Sequence, residues 1–424
     1  MLSTVYYHIL THMVPLAPRL RGTLPAELLD NLDRCLRCGL CREVCPAFRA
    51  TGHERFSPRG RLALLAATLE GESFGAAFYE TLDYCLACRA CAEKCPSGVA
   101  ADVLVIAARA AGLCRGGLPF FKSRAFRLAL GRPWRMAHLA QDLYLAQRLG
   151  LLPVALSLFG LPGKLGMPRL ERRPFDRTGP EVIPAEGERR GRVIYFAGCA
   201  ANYFYQSTAR AVVKLLSRGG YEVVIPKGRR CCGIPALAGG DVALTAKLAA
   251  ANVAALAGDD PIAVDCGSCG LALTYYYNDI LGIPGAASFK DRVKDFTQLV
   301  PAAAVAARAG GAVAYHDPCH LARGMGVKAE PRALLAATGE VREIEGEGVV
   351  TCCGGAGAYG LLHRDVFGKV GDERAAAIVA TGAEVVAAGC PACVFYLNDA
   401  LARSGGRVRA RHTAEVLAGD DARS

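Results

Sequence analysis

Eighteen of the nineteen cysteines in this chain fall into groups whose spacing suits metal chemistry better than disulfide stapling. Cys35-x2-Cys38-x2-Cys41-x3-Cys45-Pro46 is written again as Cys85-x2-Cys88-x2-Cys91-x3-Cys95-Pro96. Three thiolates at steps of three wrap a tight turn around three irons of one cubane, while the fourth points away and the proline stops local continuation. By that logic Cys35, Cys38, Cys41 and Cys95 hold one [4Fe-4S] cluster. Cys85, Cys88, Cys91 and Cys45 hold the second. Two all-cysteine zinc sites are the plainer alternative. The third in-phase cysteine and the trailing proline argue against it.

The remaining ten grouped cysteines form a repeat. Cys199 is followed by Cys231-Cys232 and then by Cys266-Gly-Ser-Cys269. Cys319 is followed at near-equal gaps by Cys352-Cys353 and then by Cys390-Pro-Ala-Cys393. Each set runs into a similar tail, Tyr277-Asn278-Asp279 or Leu397-Asn398-Asp399, so a duplicated domain is expected.

The elements that must position these groups alternate. Val193–Phe196, Glu222–Ile225 and Ile262–Val264 read as strands, with helices over Thr208–Ser217 and Val242–Leu256. The second half repeats this with strands at Ala312–Tyr315, Val349–Thr351 and Glu384–Ala387 and helices at Arg332–Ala337 and Arg374–Ala380. Strands alternating with helices imply a parallel sheet with helices on its faces. Ligands of such sheets gather beyond the carboxyl ends of strands, so each five-cysteine set is expected along one edge of its own sheet. Between Cys45 and Cys85 the pattern is helical: Ser57 can cap, Pro58 suits a first turn, and Leu62 to Leu69 is Ala/Leu-rich. The fold class is therefore multidomain: an α-helical iron–sulfur domain over residues 25–114, a helical connector and linker over 115–190, and two repeated α/β cysteine-rich domains with parallel sheets over 191–310 and 311–424.

The 424 residues carry 50 Lys and Arg against 39 Asp and Glu, a formal charge of +11 that counts every thiol as neutral. Cubanes add about −2 each and five-thiolate clusters about −3, so two of each would leave about +1. A nucleic-acid partner is not needed to explain the basic balance. The most apolar uncharged run, Leu149 to Gly163, is interrupted by Pro153 and Pro162 and falls short of the ~18 residues that cross a bilayer. With no basic n-region before the first apolar stretch, the expectation is a cytoplasmic protein without signal peptide or anchor, in a compartment where bunched thiols mean metal or redox chemistry.

Weaker signals have bland readings beside them. Gly355-x-Gly357-x-x-Gly360 matches a dinucleotide fingerprint, but it follows Cys352-Cys353 and has no acidic residue at the expected spacing. It reads as a loop that lets backbone approach a cluster. His316 and His320 flank Cys319 and could donate hydrogen bonds to a cluster, move protons, or serve a purely structural role. Cys114 has no partner and reads as a buried free thiol. Arg124, Arg127, Arg132 and Arg135 interleave with Phe120, Phe121 and Trp134, a composition that suits peripheral contact at the inner face of a membrane, a partner surface, or an ordinary connector.

Two ferredoxin-type runs followed by two Cys…Cys-Cys…Cys-x-x-Cys halves resemble the iron–sulfur subunits of glycolate oxidase and bacterial lactate dehydrogenases. They also resemble those of anaerobic glycerol-3-phosphate dehydrogenase and the catalytic subunit of heterodisulfide reductase. The matching segments include Ser57-Pro-Arg-Gly-Arg61, Cys95-Pro-Ser-Gly98, Cys231-Cys-Gly233, His316-Asp-Pro-Cys-His320 and Cys352-Cys-Gly-Gly355. The resemblance implies non-cubane [4Fe-4S] clusters with five cysteine ligands, one or two here beside the two cubanes. It also implies one of two functions. The first is an electron conduit from an FAD-containing dehydrogenase subunit, acting on a 2-hydroxy acid such as glycolate or lactate, to a quinone or other carrier. The second is a catalytic disulfide reductase acting at the non-cubane sites. No strong flavin fingerprint is present, and the ferredoxin-type runs favour the conduit.

Overall fold

The computed structural model describes residues 26–72, 74–112, 127–158, 166–307, 311–344, 352–357 and 359–419. The amino-terminal domain is helical. Proline opens α1 (Pro46–Thr51) directly after Cys45. In α2 (Pro58–Leu69) the Ser57 hydroxyl caps the first turn by accepting from the Gly60 amide at 2.9 Å. A Cβ at Gly60 would stand 2.0 Å from the Glu54 carbonyl oxygen, so only glycine fits the start of this helix. α3 (Gly75–Asp83) and α4 (Ala101–Gly112) complete the bundle around Leu28, Leu62, Leu65, Leu82 and Leu104. The connector contributes α5 (Pro133–Arg148).

The two halves that follow share a four-stranded parallel core, to which the first adds one antiparallel edge strand. In the first, β1 (Val182–Ile183), β2 (Gly191–Phe196), β3 (Tyr221–Val224), β4 (Ile262–Val264) and β5 (Val293–Asp295) are ordered β1-β3-β2-β4-β5. All pairings are parallel except that of β1 with β3. In the second, β6 (Val313–His316), β7 (Val341–Glu343), β8 (Val385–Ala388) and β9 (Arg409–His412) are ordered β7-β6-β8-β9 and wholly parallel. Covering helices are α6 (Gln206–Arg218) and α7 (Val242–Ala255) in the first half. In the second they are α8 (Ala329–Thr338), α9 (Arg364–Ala380), α10 (Pro391–Arg403) and α11 (Thr413–Leu417). The central strands are buried throughout because helices cover both faces, which is why they read as unbroken apolar runs.

Four strands were not foreseen where they stand, and each lies at a sheet edge. β5 and β9 carry charged residues, Lys294 and Asp295 or Arg409, Arg411 and His412, which mask an apolar run. β1 lies in the stretch read as linker, and pairs by its backbone with Val223 and Val224. The strand expected at Val349–Thr351 falls outside the described residues, and the neighbour of β6 is instead Val341–Glu343.

The two halves share a core through α6 and α11, where the Ser207 and Thr208 hydroxyls donate to Glu415 at 2.7 and 2.8 Å. The amino-terminal domain docks on both. Arg109 donates to the Ala238 carbonyl of the first half at 2.6 Å. Against the second half, Arg49 pairs with Glu373 at 2.7 Å, and Glu93 receives Arg323 at 2.8 Å and Lys328 at 3.0 Å. Burial opposes ionisation of Glu93, but its hydrogen bonds with Lys328 and Arg323 outweigh this and hold the carboxyl below its usual range. Among the described residues no helix is long and apolar enough to cross a membrane.

Candidate metal centres

In each amino-terminal run the backbone takes left-handed turns that bend it around a small cavity. Arg37 (φ 53°) and Gly39 (φ 87°) in the first run match Ala87 (φ 51°) and Arg89 (φ 63°) in the second. A non-glycine residue held there costs of order 1–3 kcal/mol and persists only where its surroundings impose it. The first cavity is lined by Cys35, Cys38, Cys41, Cys91 and Cys95. The second is lined by Cys45, Cys85, Cys88 and Cys91. Cys45 therefore leaves its own run and joins the other, as Cys95 does in return. All eighteen cysteines among the described residues are free thiols; Cys114 lies outside those residues.

The second cavity fits an anionic group. Arg61 is 2% exposed, donates from Nε to the Thr81 carbonyl at 3.0 Å, and brings Nη1 to 4.0 Å from Cys45 Sγ. Its Nη2 is buried without a partner. A buried guanidinium with an unspent donor, on a cavity lined by four thiols, favours an anionic occupant, and a cubane with four thiolates carries about −2. Burial pushes the Cys45 thiol up and Arg61 opposes it.

The five-cysteine sets gather beyond the strand ends. Cys199 follows β2, Cys266 follows β4, Cys319 follows β6 and Cys390 follows β8. Each Cys-Cys pair is turned by a left-handed glycine, Gly233 (φ 85°) or Gly354 (φ 78°), and at Gly233 a Cβ would meet Thr245 Cγ2 at 2.8 Å. The Gly233 and Gly354 amides turn back onto Cys231 Sγ and Cys352 Sγ at 3.5 and 3.4 Å. Within the first set Cys199 Sγ lies 3.5 Å from Cys231 Sγ, and Cys232 bonds to both Cys231 and Cys269. Those two bonds lower the Cys232 thiol to about 5. In the second set Cys353 Sγ lies 3.4 Å from Cys393 Sγ, and its bonds with Cys352 and Cys393 also pull it down. Cys319 bonds to Cys352.

The sets do not stay apart along separate edges. Cys266 Sγ of the first half lies 3.7 Å from Cys390 Sγ of the second. Cys352 of the second half packs in one cluster with Cys88 of the amino-terminal domain, and this neighbour, together with burial, raises the Cys88 thiol. The sulfurs thus run without a break from the second amino-terminal cavity through the second-half set to the first-half set. Beyond Cys199 and Cys231 opens a large cleft, also lined by Phe175, Tyr203, Arg229 and Arg230.

Residues 31–99 match a 4Fe-4S dicluster domain, and 193–274 and 313–398 each match a cysteine-rich domain. A probable glycolate oxidase iron-sulfur subunit of Bacillus subtilis is 32% identical over 92% of this chain and 95% of its own length. The chain belongs to the glycolate oxidase iron–sulfur subunit family. Lactate utilization protein A of Macrococcus caseolyticus is 29% identical over 53% of this chain and 96% of its own. A subunit of the CoM/CoB fumarate reductase of Methanothermobacter marburgensis is 31% identical over 58% of this chain but only 50% of its own length. Like others of the glycolate oxidase iron–sulfur subunit family, this is an iron–sulfur protein.

Within this family member the two histidines beside Cys319 have parted company. His320 bridges three domains: Nε2 meets the Ala87 carbonyl at 3.0 Å and Nδ1 the Ser268 hydroxyl at 2.9 Å. His316 is fully buried, and a ring nitrogen lies within 4.8 Å of the Cys353 and Cys393 sulfurs. Burial, then the charge of Arg374, pushes His316 down to about 3 and keeps it neutral. Cβ atoms at Gly355 and Gly360 would stand 2.0 and 2.5 Å from the Tyr396 ring, so these glycines also make room for a tyrosine. Sequence spacing had no means to reveal Arg61 as a cavity residue, though its place at the end of Ser57-Pro-Arg-Gly-Arg61 marked the segment. Phe120, Phe121 and Arg124 of the connector lie outside the described residues, while Leu128, Trp134, Leu145 and Leu149 expose much of their surface.

Proposed function

We propose that this chain is the electron-transfer subunit of a flavoprotein 2-hydroxy-acid dehydrogenase complex of the glycolate or lactate type. It holds two cubane [4Fe-4S] clusters, on Cys35, Cys38, Cys41 and Cys95 and on Cys85, Cys88, Cys91 and Cys45. Two non-cubane clusters sit on Cys199, Cys231, Cys232, Cys266 and Cys269 and on Cys319, Cys352, Cys353, Cys390 and Cys393. When bound, such clusters supply one-electron transfer. Oxidation of a 2-hydroxy acid removes two electrons, so a flavin on a separate subunit must couple the two steps. The observation that carries the reading is the unbroken run of sulfurs, joined at Cys88 and Cys352 and again at Cys390 and Cys266. The cleft at Cys199 and Cys231 gives a quinone or other carrier an approach to the far end of that run. The exposed apolar side chains of the connector suit docking of the flavin subunit or peripheral contact with the cytoplasmic face of a membrane.

Anaerobically purified protein is expected to contain roughly 16 iron with matching sulfide, and roughly 8 if only the amino-terminal domain is loaded. Zinc as the dominant metal would exclude the reading. Isolated protein is expected to oxidise neither glycolate nor lactate, and to be reduced by substrate only when a cognate flavoprotein is added. The rival disulfide reductase is tested by mixing pre-reduced protein, alone, with thiol-derived heterodisulfides. Reoxidation at catalytic rates, abolished by Cys232→Ser or Cys353→Ser, would make the five-cysteine sites an active centre and overturn the conduit.

A further inference from the structure

The two five-cysteine sets are alike in sequence and in strand order, yet one position beside them differs in kind. β2 ends on Phe196 and β6 ends on His316, each three residues before the first cysteine of its set. Both side chains are fully buried. In the first half the position is an inert ring. In the second half it is an imidazole whose ring nitrogen approaches the Cys353 and Cys393 sulfurs within 4.8 Å.

The hydrogen bonding of His316 fixes where its proton sits. Arg374, itself buried on α9, donates from Nε to His316 Nδ1 at 3.2 Å. A guanidinium has no acceptor, so Nδ1 carries the lone pair and the neutral ring carries its hydrogen on Nε2. That Nε2 is buried and has no partner in the protein. A buried N–H is rarely left unspent, and each such group calls for an explanation. The same ring has a nitrogen within 4.8 Å of the Cys353 and Cys393 sulfurs, which become thiolates when metal binds.

We propose that His316 is a positioning and tuning residue of the second-half site, its Nε2–H donating a hydrogen bond to the sulfur of that site's cluster. The proposal rests on the reading that the second-half cysteines hold a cluster. Arg374 orients the ring, much as outer hydrogen bonds orient metal ligands. A donor aimed at sulfur favours the more negative, reduced state, and hydrogen bonds to cluster sulfurs are one of the levers that set reduction potential. The first-half site has phenylalanine in the same place. His316 therefore makes the second-half site, the one beside the amino-terminal domain, the better electron acceptor of an otherwise matched pair.

The test is a spectroscopically monitored redox titration of the full chain, comparing wild type with His316→Phe and His316→Gln. Phenylalanine is already accommodated at this position in the first half, and glutamine keeps an N–H donor. The Phe variant is expected to lower the potential of the second-half signal by a shift equivalent to about tenfold in its reduction equilibrium, 59 mV for a one-electron couple. The first-half and cubane signals should not move, and Gln should recover most of the change. An independent readout in wild type is electron–nuclear double resonance after reconstitution in H2O or D2O. It should reveal an exchangeable proton coupled to the second-half signal and missing from the Phe variant. An unmoved potential with the signal intact, or a wild-type signal without that proton, overturns the proposal. Strong nitrogen coupling would also overturn it, since His316 would then be a ligand. A wild-type chain with no second-half signal would instead overturn the underlying reading of the cysteines, an outcome distinct from the others.

Discussion

Replacing Arg61 by methionine is expected to empty the second amino-terminal cavity while leaving the first one loaded. Arg61 lies at 2% exposure with an unpartnered Nη2 and with Cys45 Sγ 4.0 Å from Nη1. Removing one partner of a buried charge pair costs about 3–5 kcal/mol, because the charge that remains has no counter-ion. At 1.4 kcal/mol per tenfold, affinity of that site for its cluster should fall by roughly two to three and a half orders of magnitude. Iron and labile sulfide should each drop by about four per chain. The metal-free protein should respond in the opposite sense or hardly at all, since there methionine replaces an unpaired buried charge by an apolar side chain of similar length. Comparison of apo-protein melting temperatures with holo iron content separates the two. If Arg61→Met kept its full iron, or melted early in both states, the guanidinium would be a scaffold group and not a counter-charge.

Cys353→Ser is expected to have consequences beyond its own site, whereas Cys232→Ser is not. Cys353 belongs to the middle set of the sulfur run, between the Cys88–Cys352 contact and the Cys266–Cys390 contact. Outer hydrogen-bond partners of metal sites alone cost roughly 10–100-fold in affinity, and loss of one of five ligands should exceed that. In Cys353→Ser the cubane signals should remain, the second-half signal should vanish, and the first-half site should no longer fill when electrons enter through the amino-terminal domain. In Cys232→Ser only the first-half signal should be lost. Rapid-mixing reduction followed by freeze-quench spectroscopy reads the difference. Filling of the first-half site in Cys353→Ser as fast as in wild type would show that electrons reach it by another door.

What the sequence disclosed was local. The runs at Cys35–Cys45 and Cys85–Cys95 announce themselves because their ligands lie within a few bonds of one another, where chain geometry dictates the chemistry. The duplication was legible because both copies keep the same order of cysteines, and the central strands because burial on both faces leaves them purely apolar. Edge strands such as Arg409–His412 were hidden by their charge. The junctions between sites were invisible for a different reason. Cys266 and Cys390 are 124 residues apart, and nothing in either Cys-x-x-Cys pair says that the two sheets meet at those atoms. Arg61 and His316 were legible as members of motifs, but their solitary nitrogens emerge only once burial and every competing partner have been accounted for.

The bridge from His320 to the Ala87 carbonyl spans 233 residues of chain. A ribosome adding about 5–20 residues per second needs on the order of 10–50 s to travel that distance. During this interval the nascent amino-terminal helices stand with their second cavity uncovered, because Cys352, Arg323 and His320 have not yet been made. For the proposed cluster, this is the interval in which iron and sulfide reach that cavity before the later domain covers it. A slow stretch of codons ahead of Cys319 would lengthen the window, and a fast one would close it early.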